Sequence, residues 1–257
     1  MKRCKRCNRL FFFRPMDASG NCPQCAAWIE EYERRRAESE RREREAIEKE
    51  KAMLDAIPEY KIVLSSVPYK RQRGYDPIDF SNITPKGKYD SVVVFDTETT
   101  GLAPSHDRIV EIAAIKYVNG EAVQKFHSYI NPGIPIPERT IDIHGITDDM
   151  VKDSPDIGQV LPAFDSFIGD SILAAHNLEF DLKFIFYSGS HFYEKKRKYI
   201  DTLEQAKRIY PSREVDSYKL KDLCSYNYIR MVKEHNALAD AFAAGRLFWK
   251  MVDEKRG

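Results

Sequence analysis

Val92–Gly101, VVVFDTETTG, is the stretch that predicts the fold of this 257-residue chain. Its first four residues form a continuous apolar run, which is typical of a strand buried on both faces. Two acids, Asp96 and Glu98, end the run and project to the same side, because alternate residues of a strand share a face. Thr99–Gly101 then supplies a turn in which Gly101 is free to take a positive φ.

The acidic pair follows a predicted buried strand, where ionised side chains cost free energy because they lose hydration. Two carboxylates this close raise each other's pKa unless a cation neutralises them. Asp96 and Glu98 therefore predict a divalent metal site. The alternatives are that both acids cap a neighbouring helix or lie in solvent at the end of the strand.

A second polar segment, His176–Asp181, follows the strand-like Ile172–Ala175 and turns into a helix. Asp181 falls in the first turn of that helix, with Phe180 and Phe184 as its buried face. An acid at this position is also favoured by the helix dipole alone, so Asp181 by itself does not indicate a site.

A third segment, His235–Ala241, opens another helix. The sequence predicts Asn236 as its N-cap and places His235 in the preceding loop, from which the imidazole can reach the site that Asp240 faces. Small residues between Ala237 and Gly245 allow this helix to approach a sheet closely.

The region from about residue 91 onward alternates strands with helices. Strands are predicted at Val92–Glu98, Ile109–Val118, Val123–Ile130 and Ile172–His176, and helices at Ile157–Ile168, Leu178–Tyr187, Thr202–Ile209, Leu220–Tyr228 and Ala237–Val252. Three consecutive strands followed by alternating helices and strands predict an α/β fold with a mixed sheet flanked by helices.

Four cysteines near the N-terminus form two C-x2-C pairs, Cys4 with Cys7 and Cys22 with Cys25. Two such knuckles complete the tetrahedral sulfur shell that one structural Zn²⁺ prefers, although an iron–sulfur site has the same donors. The surrounding cations either contact phosphate or form a solubilising surface; they are Lys2, Arg3, Lys5, Arg6, Arg9 and Arg14.

The next segment is dominated by charge. Between Glu30 and Lys51 there are 17 charged residues in 22, and glutamates stand four residues from arginines, which favours a solvated helix. Apolar residues do not sustain heptads, so a spacer helix is favoured over a dimeric coiled coil. Prolines mark the following segment as a connector, in which Val63 and Leu64 are candidates for an edge strand.

Composition limits the classes of protein to which this chain can belong. The chain has 42% hydrophobic and 32% charged residues, and its apolar runs are far shorter than the ~18 residues of a membrane span, so a cytoplasmic protein is expected. Residues 1–90 carry 20 basic and 15 acidic side chains, and residues 91–257 carry 21 and 25. A basic arm on an acidic body is expected, and an acidic body that handles polyanions needs bound cations.

Three motifs together identify a family. FDTETTGL (Phe95–Leu102), HNLEFD (His176–Asp181) and HNALADA (His235–Ala241), in this order, resemble the motifs of the DEDDh 3′-to-5′ exonucleases. That family includes the proofreading epsilon subunit of bacterial replicative DNA polymerase, and HGIT (His144–Thr147) resembles a loop of its epsilon-like branch. The resemblance covers roughly residues 92–252.

The resemblance implies a ribonuclease-H-like fold and gives the motif residues roles. Four carboxylates would hold two Mg²⁺ or Mn²⁺ ions, with a histidine as general base; the residues are Asp96, Glu98, Asp181, Asp240 and His235. Thr99 and Leu102 would lie against the terminal nucleotide, although core packing is the alternative for Leu102. His176 and Asn177 either fix the end of the strand or approach the substrate.

The implied activity is release of nucleoside 5′-monophosphates from nucleic-acid 3′ ends, with single-stranded DNA as the leading substrate. Trimming of RNA by the same site is an alternative, and so is a zinc-ribbon adaptor for nucleic acid or a polymerase in which the nuclease fold is not essential. A replication or repair protein is a candidate partner for the arm. The predicted segments are zinc-ribbon-like knuckles (1–28), a charged spacer helix (29–57), a connector (58–90) and the exonuclease domain (91–257).

Overall fold

The computed structural model describes residues 2–3, 5–11, 16–71, 89–189, 197–233 and 235–254. Cys4 and Arg14, which the sequence analysis singles out, lie outside the described residues. Contacts between residues divide the chain into two units, Met1–Lys49 and Glu50–Gly257.

The first unit contains a small antiparallel ribbon and most of a long helix. Strands β1 (Lys2–Arg3) and β2 (Leu10–Phe11) pair with each other, and helix α1 spans Pro23–Asp55. The helix begins earlier than the predicted residue 29, because proline suits the first helical position and the second C-x2-C pair runs into the first turn. Exposed ion pairs line α1, including Glu38 with Arg42 at i, i+4 spacing.

The second unit is built on a five-stranded mixed sheet. Its strands are β3 (Ser91–Thr99), β4 (Ile109–Val118), β5 (Glu121–Tyr129), β6 (Ile172–Ala175) and β7 (Tyr199–Asp201), arranged in the order β5-β4-β3-β6-β7. Strands β3, β4 and β5 are antiparallel neighbours, whereas β6 and β7 run parallel to β3. The predicted mixed sheet is confirmed.

Helices flank this sheet. They are α2 (Glu138–His144), α3 (Asp148–Val151), α4 (Ile157–Ile168), α5 (Leu178–Ser188), α6 (Thr202–Ile209), α7 (Leu220–Tyr226) and α8 (Ala237–Glu254). Among the described helices, none has the length and apolar character needed to cross a bilayer.

Strand β3 is buried on both faces, as its apolar run predicts. Val93 and Phe95 belong to the core that includes α4 and α5, whereas Val92 and Val94 pack in a second core with Phe248 of α8. Because side chains alternate along a strand, the acids that follow Val94 at even positions point towards the α8 side.

Helix α8 approaches the sheet closely at Gly245. A Cβ atom at this residue would lie 2.5 Å from ring carbons of Tyr117 on β4. The small residues of this helix therefore serve the close packing that the sequence predicts.

The connector pairs with the sheet, but not where the sequence indicates. Glu59 forms a parallel bridge with Lys125 on β5, and the Tyr60 amide donates to the Lys125 carbonyl at 2.7 Å. Val63 and Leu64 are exposed and lie outside any strand. The predicted edge strand at these two residues is wrong, because Tyr60 anchors the segment earlier by packing against Phe126 and Phe167.

Candidate active site

Four acids converge at one end of the central strand. Asp96 and Glu98 come from β3, Asp240 from the first turn of α8, and Asp181 from the first turn of α5. The charges of Asp181, Asp240 and Glu98 all act on the Asp96 carboxylate. The structure thus brings together the four carboxylates that the motifs predict.

Burial and mutual repulsion raise the pKa values of this cluster. Desolvation is the largest cause for Asp96, followed by the charge of Asp181, and the pKa lies well above its ordinary value. Desolvation followed by the charge of Asp240 raises the pKa of Glu98 to about 8. Without a cation the cluster therefore resists full ionisation near neutral pH, which is the condition that a divalent metal relieves.

Thr97 of β3 holds the Asp181 side chain in place. The Thr97 amide and the Thr97 hydroxyl both donate to Asp181 Oδ1, at 3.0 and 2.7 Å. Only 3% of Asp181 is exposed, so this residue is not an ordinary solvated acid of a first helical turn. Because successive side chains of a strand point to opposite faces, Thr97 does not share the face of Asp96 and Glu98. Its hydroxyl holds Asp181.

His235 stands at the edge of the cluster. Side-chain ligand atoms of His235, Glu98 and Asp240 lie within 4.8 Å of one another. As the sequence predicts, α8 begins after Asn236, whose side-chain oxygen accepts from the Ala239 amide at 3.2 Å. His235 is exposed in the preceding loop with φ of 54°.

Glu111 on β4 is a buried acid that sequence reasoning missed. It pairs with Glu98 in the register of the sheet and is fully buried. Its carboxylate accepts from the Ala237 amide at 3.2 Å and from Asn236 Nδ2 at 3.3 Å, and it lies 2.7 Å from His127 Nε2. Glu111 therefore connects the first turn of α8 to the sheet. In the sequence, its signal is an acid inside the otherwise apolar start of the strand Ile109–Val118.

A cavity of about 520 Å³ adjoins Glu98. Thr99 and Leu102 line it, together with Ile143 of α2 and Phe180 of α5. Leu102 is 83% exposed, which excludes core packing as its role. An apolar wall beside acidic groups suits a ligand with one flat apolar part and one polar part.

The loop after β3 is shaped by Asp107. Its carboxylate accepts from the Ala103 amide at 2.8 Å and from the Thr100 hydroxyl at 3.2 Å. A Cβ atom on Gly101 would lie 2.5 Å from Asp107 Cγ. Gly101 is thus needed for the close approach of Asp107, and it does not use the freedom to take a positive φ that the sequence gives it.

A second cavity, of about 950 Å³, is lined by Asp96 and Asp240. Asn177 and His235 line it, so Asn177 lies beside the acidic cluster. His176 serves the fold: its ring nitrogens lie 3.0 Å from the Thr202 hydroxyl and 3.0 Å from the Tyr218 carbonyl. Burial lowers the pKa of His176 to about 4, which keeps the ring neutral.

Three of the four N-terminal cysteines also come together. The sulfur atoms of Cys7, Cys22 and Cys25 lie within 4.8 Å of one another. Thiolates at this spacing match part of a tetrahedral zinc site, and Cys4 lies outside the described residues.

Residues 93–248 match the family model described as Exonuclease. Among curated proteins, the chain is 43% identical over 165 residues to the PolC-type DNA polymerase III of Oceanobacillus iheyensis, and 39% identical over 168 residues to that of Bacillus subtilis. These matches cover 63% and 64% of this chain but only 11% and 12% of the relatives. The chain thus spans about a ninth of the length of these polymerases.

Solved structures show the same fold. Exonuclease X in complex with 5′ overhanging duplex DNA has a TM-score of 0.54 and 27% identity, covering 65% of this chain and 93% of that chain. Exonuclease I of E. coli in complex with a dT13 oligonucleotide has a TM-score of 0.55 and 20% identity, covering 65% of this chain and 42% of the other. With the matched motifs gathered at one end of a ribonuclease-H-like sheet, the chain belongs to the exonuclease family.

Proposed function

We propose that this protein is a metal-dependent 3′-to-5′ exonuclease that releases nucleoside 5′-monophosphates, with single-stranded or frayed DNA as substrate. The observation that carries the proposal is the gathering of four carboxylates and His235 beside a cavity with apolar walls. DNA is favoured over RNA because Exonuclease X, of which 93% aligns with this chain, was solved in complex with DNA. A cytoplasmic location is part of this proposal, because the curated relatives are DNA polymerases.

The donor set fits hard divalent cations. Carboxylate oxygens suit Mg²⁺ or Mn²⁺, and burial and mutual repulsion raise the pKa of Glu98 more than the charge of Lys233 lowers it, so a bound cation would relieve the repulsion. Asp96, Glu98, Asp181 and Asp240 would hold two such ions, which supply Lewis acidity and neutralise the charge of the phosphodiester.

The chain's own groups position the substrate and move the proton. The cavity next to Thr99 and Leu102 would take the terminal nucleoside, with its base against Leu102 and Phe180. His235 would accept a proton from the attacking water, since a loop position beside Glu98 and Asp240 leaves the imidazole accessible to solvent. Asn177 would contact the nucleic-acid strand from the second cavity.

Degradation of matched DNA and RNA strands tests the proposal. Full-length protein with Mg²⁺ should release 5′-mononucleotides from the 3′ end of single-stranded DNA, and Asp96→Asn should abolish release. Asp90→Asn, which removes an exposed carboxylate just before β3, is the matched control and should keep full activity. Preferential degradation of RNA would establish the RNA-trimming alternative, and full activity of Asp96→Asn would refute the metal assignment.

We also propose that Cys4, Cys7, Cys22 and Cys25 hold one structural Zn²⁺, which supplies folding free energy to the short N-terminal knuckles. The clustering of three of these sulfur atoms supports the proposal. Purified protein should contain about one zinc per chain, and Cys7→Ser should lose it, whereas the buried Cys224→Ser should retain it. A well-folded N-terminus without zinc would contradict the assignment.

A further inference from the structure

Two exposed aromatic rings lie side by side on the N-terminal unit. Trp28 and Tyr32, one turn apart on α1, are stacked with ring centroids 5.2 Å apart and planes within 7°. Trp28 is 50% exposed and Tyr32 is 53% exposed. Large aromatic side chains are usually covered in a folded protein, so parallel rings left half in solvent need an explanation.

Cations flank this aromatic pair. The Arg6 guanidinium lies 3.8 Å from the Trp28 ring centroid, which is cation–π geometry. Arg36, one turn beyond Tyr32, interacts electrostatically with the Tyr32 side chain, but its Nε donates to Glu40 at 2.8 Å, so its charge is already paired. Arg6 is therefore the cation of this aromatic pair that is placed to meet a phosphate.

The neighbouring knuckle adds further positive charge. Arg3, Lys5 and Arg9 are exposed on the same small unit. Asp17 is the only acid before Glu30, and its carboxylate already accepts from the backbone and side-chain amides of Asn21. The charge of the knuckle is therefore complementary to a polyanion.

We propose that Arg6, Trp28 and Tyr32 form a binding surface for single-stranded nucleic acid, separate from the exonuclease cluster. Tyr32 stacks on Trp28, and Arg6 lies over the Trp28 ring, so the exposed Tyr32 ring is the one that can stack with an unpaired base of any sequence, while Arg6 meets a phosphate. A nucleic-acid strand supplies a flat base and a phosphate in every unit, whereas an acidic peptide without aromatic residues supplies only the charge. The surface holds a strand and performs no chemistry.

Fluorescence of Trp28 reads this surface directly. Trp28 and Trp249 are the two tryptophans of the chain, so a full-length Asp96→Asn, Trp249→Phe protein reports on Trp28 alone and leaves the strand intact. Adding single-stranded oligothymidylate should quench the fluorescence. Because the readout is local and requires no hydrolysis, its result is independent of whether the proposed exonuclease activity is found.

Variants in the same background separate stacking from charge. Tyr32→Ala should weaken binding about 10-fold, and Arg6→Ala should lower the slope of log affinity against log salt by about 0.7, the value for one lost phosphate contact. Tyr228→Asn is the control: Tyr228 is 86% exposed in the other unit with φ of 58°, which asparagine tolerates.

Circular dichroism distinguishes loss of the surface from loss of the fold. Tyr32 lies on the exposed face of a long helix, so its variant should keep the helix content. If folded Tyr32→Ala and Arg6→Ala proteins bind oligothymidylate as tightly as their parent, the rings only hold the knuckle against α1 and the proposal is wrong. Quenching by an acidic peptide but not by the oligonucleotide would overturn it equally, in favour of a protein partner.

Discussion

Replacing Glu98 by glutamine should stabilise the metal-free protein. The pKa of Glu98 rises from 4.5 to about 8 on folding, because of burial and the charges of Asp240 and Glu111. At 1.36 kcal/mol per pKa unit, ionising Glu98 in the folded state costs up to ~5 kcal/mol. Water that enters the metal-free cluster screens part of this repulsion, so we expect a gain of about 2 kcal/mol in the free energy of unfolding.

The sign of the pH dependence follows from the direction of the shift. Between pH 4.5 and about 8 the folded state binds more protons at Glu98 than the unfolded state does, so stability falls as pH rises through this interval. The gain from Glu98→Gln should therefore be small near pH 4.5 and largest at pH 8 and above.

Thermal unfolding with and without Mg²⁺ measures the effect. In Mg²⁺-free buffer at pH 8 the Glu98→Gln protein should unfold about 4–8 °C above the wild type, and Mg²⁺ should reverse the order because only the wild type keeps all four ligands. Glu121→Gln, at an exposed position at the start of β5, is the control and should change neither value. An equal or lower unfolding temperature for metal-free Glu98→Gln at pH 8 would refute the reasoning.

Three further substitutions test the proposed general base, the buried acid next to the cluster and the packing of α8 on the sheet. His235→Ala should slow hydrolysis by about 10²–10⁴-fold while the Mg²⁺ concentration for half-maximal rate changes much less; equal loss of both would indicate a structural histidine. Glu111→Ala should lower the free energy of unfolding by about 1–3 kcal/mol, measured in urea with Mg²⁺ present so that relief of the repulsion on Glu98 does not offset the loss, because the buried Ala237 amide loses its acceptor; a change below ~0.5 kcal/mol would argue against this tie. Gly245→Ala should cost about 1–3 kcal/mol by overpacking against Tyr117, and adding Tyr117→Leu should restore part of it; a neutral Gly245→Ala would show that the helix can shift.

The sequence predicted the parts of the fold that carry strong periodicity. The apolar run Val92–Phe95 and the capped start of α8 at Asn236 were both confirmed, because a doubly buried strand and an N-cap leave local signatures. Helix α2 and strand β7 were missed: each is short, and Tyr199–Asp201 is defined by pairing with β6 rather than by its own pattern.

In the candidate site, too, features with a local sequence signature were predicted, and features set by tertiary contacts were missed. The motifs predicted which carboxylates meet, since each follows a strand or opens a helix. Glu111 was missed because its function depends on a partner, the Ala237 amide, that is remote in the sequence. The start of α1 at Pro23 and the pairing at Glu59 were misplaced for a related reason, as the adjoining cysteines and Tyr60 decide them through tertiary contacts.

Helix α8 supplies Asp240 and also covers the apolar face of β3 and β4. During translation, Asp96 leaves the ribosome long before Asp240 does, and until α8 docks that face of the nascent sheet stays uncovered. A carboxylate cluster divided in this way is complete only after the late helix docks on the sheet, so its assembly is tied to completion of the second core.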